Sequence, residues 1–173
     1  MKSLLTILFI AAAAGCFGQF NVGYEYYEDV PVIHNQDTLD NPWAGGLNNP
    51  QFSSIDVDLD GSMDMFIFDR DGNRRLPFTR DENGLYDFQP SAIKRFPKMN
   101  WNYTLLRDYD GDGKSDIFTA GYNNYGIDVY RNTSDTTLSF ELAADDMKYK
   151  RDGGSPLFFY APINDLPAIY DFD

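Results

Sequence analysis

The chain has 173 residues, a formal net charge of -13, 43% hydrophobic residues and 16% aromatic residues. That length gives one ordinary domain with a packed core, and the aromatic share favours strands over helices. So acidic a composition excludes a protein that tracks a nucleic-acid backbone or an anionic membrane surface, since both need clustered Lys and Arg.

Residues 1–18 read as a signal peptide. Lys2 supplies a short positive start, residues 4–14 form an apolar run too short to span a bilayer, and small residues follow. Ala13-Ala14-Gly15-Cys16 is a partial lipobox without the usual leading Leu, so a lipid anchor at Cys16 is the lesser alternative. The expectation is export, to the medium or the cell surface. Cys16 is the only cysteine, so the mature chain has no disulfide and, if its core is thin, needs another stabiliser, of which bound metal is one. No later stretch is apolar and long enough to be a transmembrane helix.

Residues 19–49 form a lead-in rich in Asn, Gly and aromatics, with no repeat register. Tyr24, Tyr26, Tyr27 and Trp101 can be read as a sugar platform, but strand packing is the plainer reading. From residue 50 onward, short apolar runs alternate with Gly, Asn and Asp clusters, and no stretch has helical periodicity. The runs at 65–68, 101–106, 117–120, 127–130, 139–142 and 157–160 are each of strand length. Asp71-Gly72 is a hairpin signal joining 65–68 to 75–78, and Asn123-Asn124-Tyr125-Gly126 plays the same part between 117–120 and 127–130.

The acidic residues divide into 23 Asp and 4 Glu. Asp is the residue of turns and of tight oxygen-ligand loops. Its spacing is repetitive: residues 55–66 align with residues 107–118 at an offset of 52, and a third copy begins at residue 170, with Asp171 placed 63 residues after Asp108. Each repeat has room for about four short strands, the size of one propeller blade. The chain stops at the third position of that last copy, so we expect it to be the N-terminal part of a longer reading frame.

Both complete copies read Asp-x-Asp-x-Asp-Gly-x-x-Asp. Calcium takes six to eight oxygen ligands at about 2.3–2.6 Å, and such a loop supplies them. In the first copy the ligands are Asp56, Asp58, Asp60, the Ser62 carbonyl and Asp64, with Gly61 at the sharp turn. In the second they are Asp108, Asp110, Asp112, the Lys114 carbonyl and Asp116, with Gly113 at the turn. Asp171 and Asp173 open the third. Carboxylates gathered in one turn repel each other without a cation. Magnesium fits less well because it demands strict octahedral geometry, and zinc wants His or Cys, of which the mature chain offers only His34, expected in a loop. An EF-hand would place Glu at loop position 12 inside a helix. Ile67 and Thr119 stand there instead, within runs that read as strands.

An Asp-x-Asp-x-Asp-Gly-x-x-Asp loop followed by a strand resembles the FG-GAP and VCBS repeats of integrin-type β-propellers. The resemblance covers residues 50–173. It is carried most specifically by the two loops and by residues 121–132, where Gly-x-x-x-x-Gly-Ile-x-Val-Tyr-x-Asn is similar to the later hairpin of that repeat. Residues 41–47 resemble the lead-in of such propellers. The resemblance implies an all-β fold, a partial β-propeller of short antiparallel blades, with one calcium ion per loop, on an exported bacterial protein. In relatives with this lead-in it also implies a C-terminal domain for type IX secretion.

The expected function is calcium-dependent recognition or scaffolding, with a glycan or protein as partner and no catalysis. No Gly-x-Ser-x-Gly, His pair or phosphate-cradling loop is present. Glu141, Asp145 and Asp146 read as solvated charge. The alternative is the N-terminal part of a propeller-based carbohydrate-active enzyme.

Overall fold

A computed structural model describes residues 30–99, 102–122, 126–162 and 166–170. The expected signal peptide with Cys16, the aromatic cluster at 24–27, Trp101, the expected turn at 123–125 and the expected third loop with Asp171 and Asp173 lie outside the described residues. The rest is all-β, in small antiparallel sheets that do not close on themselves. None of its helices is long and apolar enough to cross a membrane.

Two sheets of four strands dominate. The first takes β3 (Pro50–Ile55), β4 (Asp64–Asp69), β5 (Arg74–Arg80) and β6 (Tyr86–Phe88) in sequence order, each antiparallel to the last. The second repeats the plan with β7 (Thr104–Arg107), β8 (Asp116–Ala120), β9 (Ile127–Asn132) and β10 (Phe140–Ala144). Two-stranded hairpins flank them: β1 (Ile33–His34) with β2 (Asp37–Thr38), and β11 (Lys148–Tyr149) with β12 (Leu157–Phe158). The hairpin expected at Asp71-Gly72 joins β4 to β5, with Gly72 at φ 88°. β5 runs through a buried Pro77, where a ladder N–H is missing. Pairing with β6 starts only at Phe78, and the Pro77 carbonyl instead accepts the Gln89 N–H at 2.9 Å.

β4 and β8 are buried on both faces, which is why they read as continuous apolar runs rather than alternating ones. Successive side chains still point to opposite faces. Phe66 and Phe68 of β4 enter one core cluster while Ile67 enters another, and β8 likewise sends Ile117 one way and Phe118 and Ala120 the other. The cluster between the two sheets joins Ile55, Val57, Phe66 and Phe68 to Leu106 and Ile117. A 3-10 helix, Pro90–Arg95, adds Ala92 to that cluster, and Phe96 and Met99 follow it in. Pro at its start and Lys94 and Arg95 in its last turn suit a short helix, though six residues are too few to show a helical period in the sequence.

β7 is an edge strand, and its edge is covered by side chains. The Thr104 N–H donates to Gln51 Oε1 at 2.9 Å and the Leu106 N–H to Ser53 Oγ at 3.1 Å. Both acceptors come from β3 of the other sheet, so the sheets are tied by hydrogen bonds as well as by their core.

Candidate metal centre

Each acidic loop spans the connection between the first two strands of its sheet: β3 to β4, and β7 to β8. The loops fold closely alike at the 52-residue offset, differing in one main-chain donor to the first Asp. The first Asp accepts main-chain N–H bonds from the far side of its turn. Asp56 takes Asp60 at 3.1 Å and Gly61 at 2.9 Å, while Asp108 takes Gly111 at 2.7 Å and Gly113 at 2.8 Å. Those bonds curl the backbone around the carboxylate. The curl takes two left-handed residues per loop, Leu59 and Gly61 at φ 65° and 89° in the first and Gly111 and Gly113 at 80° and 85° in the second.

The last Asp of each loop is its anchor. Asp64 accepts the Val57 N–H at 2.8 Å and the Arg80 N–H at 2.7 Å. Asp116 accepts the Tyr109 N–H and the Asn132 N–H, both at 2.6 Å. Each carboxylate therefore binds the start of its own loop to the third strand of its sheet, and both are buried, at 4% and 0% exposure. Burial pushes both carboxyls above the ordinary value. The two N–H donors pull each one back, and the neighbouring loop carboxylates add to the rise: Asp58 and Asp56 on Asp64, Asp110 and Asp112 on Asp116. Asp108 moves the other way, held low chiefly by the Gly113 N–H.

In each loop three of the four expected carboxylates converge. Oxygens of Asp56, Asp58 and Asp64 all lie within 4.8 Å of one another, as do those of Asp108, Asp110 and Asp116. Oxygens on opposite sides of one calcium ion are about 5 Å apart, so either triad can hold a metal ion. Asp60 and Asp112 stand outside the triads. Asp60 Oδ1 accepts the Ser62 N–H at 2.6 Å, and Asp112 Oδ1 accepts the Lys114 N–H at 2.8 Å. Ser62 and Lys114 are thereby fixed at the loop turn. The donors in both triads are carboxylate oxygens, with no His or Cys among them. His34 sits on exposed β1 rather than in a loop, bonded to Asn35.

The loops differ in their surroundings. Ile55 and Val57, flanking the first Asp of loop one, are buried in the inter-sheet core. Arg107 and Tyr109, their counterparts in loop two, line a groove of about 660 Å³ with Phe118, Ile169 and Tyr170. Outside the loops, Glu141 and Asp145 are exposed as expected. Asp146 departs from that reading: it is half-buried, and its N–H donates to Asp128 Oδ1 at 3.0 Å. Asp128, buried and raised by desolvation, carried no signal in the sequence beyond an alternating strand. Comparison with protein-family models, with curated proteins and with solved structures found no match.

Proposed function

We propose that the chain is an exported calcium-binding repeat module of the FG-GAP/VCBS type, in which each metal ion stiffens one blade of a β-propeller. The single observation that carries this reading is the duplicated scaffold. First-position Asp, apex Gly and buried last Asp hold the same main-chain groups in two loops 52 residues apart. A turn that merely solvated its charges has no need to bring three carboxylates together twice. Two successive four-stranded meanders stacked face to face support the blade reading.

The metal role is structural and the wider function is recognition or scaffolding, with loops presented to a glycan or protein. Calcium at extracellular concentrations saturates sites with dissociation constants of about 10⁻⁴–10⁻³ M. At ten to a hundred times the dissociation constant, each ion adds roughly 1–3 kcal/mol to the folded state. The test is calorimetric titration of the chelator-stripped full chain with calcium, beside thermal melts with and without the ion. Heat of binding and a raised melting midpoint are expected, with magnesium weaker. A folded chain that gives neither heat nor a shift refutes the reading.

A further inference from the structure

Among the described residues the second loop has a cation paired with one of its carboxylates and the first does not. Arg131, on β9, places Nη1 3.8 Å from Asp110 Oδ2. Lys114, inside the loop, sends its ammonium to the Ser134 carbonyl at 2.8 Å. At the 52-residue offset the first loop has Thr79 and Ser62 in these places, both uncharged. Among the described residues the ion pairs are Arg74 with Asp69 and Arg131 with Asp110, so none reaches Asp56, Asp58, Asp60 or Asp64. Counting these positions, loop one has four carboxylates and no cation, a charge of -4. Loop two has four carboxylates, one Lys and one Arg, a charge of -2.

We infer that Arg131 is an affinity-determining residue: its guanidinium competes with the metal for Asp110, so the second loop binds calcium more weakly and the two loops fill in order, the first before the second. This rests on the calcium reading above. The main chain at Arg131 is held beside the loop, because the next residue, Asn132, donates its main-chain N–H to the anchoring Asp116. When a divalent ion enters, the guanidinium either gives up Asp110 or stays as a like charge beside it. An exposed ion pair is worth up to about fivefold in an equilibrium constant. With repulsion of the incoming ion added, the penalty on the second loop is about three- to tenfold. Salt screens exposed charges, so the gap between the loops narrows as ionic strength rises. At limiting calcium the first sheet is therefore stiffened before the second.

The experiment is calorimetric titration of the full chain with calcium alone. Two affinity classes are expected, the tighter abolished by Asp58→Asn and the weaker by Asp110→Asn. Arg131→Gln should tighten the weaker class about three- to tenfold and leave the other unchanged. Arg131→Lys should keep it weak. The reciprocal change Thr79→Arg should weaken the first loop by a similar factor. Because the Arg131 side chain is 49% exposed, its replacement leaves the core intact. Equal affinities, the reverse order of filling, or no response to Arg131→Gln overturns the inference while leaving calcium binding standing. Absence of calcium heat at both loops overturns the calcium reading itself.

Discussion

Single residues in the two loops do separable jobs. Gly113 has φ 85° and nothing within 4 Å of where a Cβ would sit, so its role lies in the backbone alone. Gly113→Ala should cost about 1–2 kcal/mol, the penalty of a left-handed alanine, with no packing contribution. Urea unfolding in chelator measures this without any contribution from the metal. Asp116 acts as a fastener. Removing its carboxylate leaves the Tyr109 and Asn132 N–H groups without their acceptor. Asp116→Ala should destabilise the metal-free chain by about 2–4 kcal/mol, more than a surface Asp could, because Asn132 is buried and its lost bond is not replaced by water.

At the scale of elements, β4 is tied at both ends by buried acids. Asp64 begins it, and Asp69 ends it by accepting the Asn49 N–H at 2.9 Å and the Asn48 N–H at 3.0 Å. The Asn49 bond is the main reason the Asp69 carboxyl lies below the ordinary value of 3.8. Burial opposes it, while Asn48 and the Arg74 charge reinforce it. A lowered folded value means that the unfolded chain takes up the proton first. The stability from Asp69 is thus complete above the unfolded value, near 4, and is lost as pH falls through the folded one. Urea midpoints measured from pH 7 down to about pH 2 should fall less steeply for Asp69→Asn than for the parent chain. The two curves should converge in acid. A parallel pair of curves would show that Asp69 titrates alike in both states.

For the molecule as a whole, the decisive contact is the junction of the two sheets. Phe96 follows the 3-10 helix and stacks on Phe66 of the first sheet, with ring centroids 4.6 Å apart, and on Phe140 of the second, at 5.4 Å. One side chain from a connecting segment therefore belongs to both sheets' packing. Phe96→Ala should cost about 3–5 kcal/mol. Hydrogen exchange should then show protection falling in β4 and β10 together, since the Phe66 and Phe140 rings lose the same partner. Exchange confined to one sheet would mean that the sheets are stabilised independently.

The sequence by itself determined the runs that form β4, β5, β7, β8, β9, β10 and β12, though not β3 or β6, together with the Asp71-Gly72 hairpin, the 52-residue repeat and the identity of the two acidic loops. These are local matters: side-chain alternation, turn chemistry and ligand spacing act over a dozen residues or fewer. It was silent on the Pro90–Arg95 helix, too short to show a period, and on the Gln51 and Ser53 side chains that cover β7. It also grouped four carboxylates per loop where the fold converges three, because spacing alone cannot tell that Asp60 and Asp112 turn back to the main chain at Ser62 and Lys114. Only the tertiary structure brought Arg131 to Asp110, 21 positions away in sequence, and made Asp64 and Asp116 the buried fasteners of their sheets. Burial and charge pairing depend on which strands lie side by side, and that is settled by the packing of the whole chain rather than by any one segment of it.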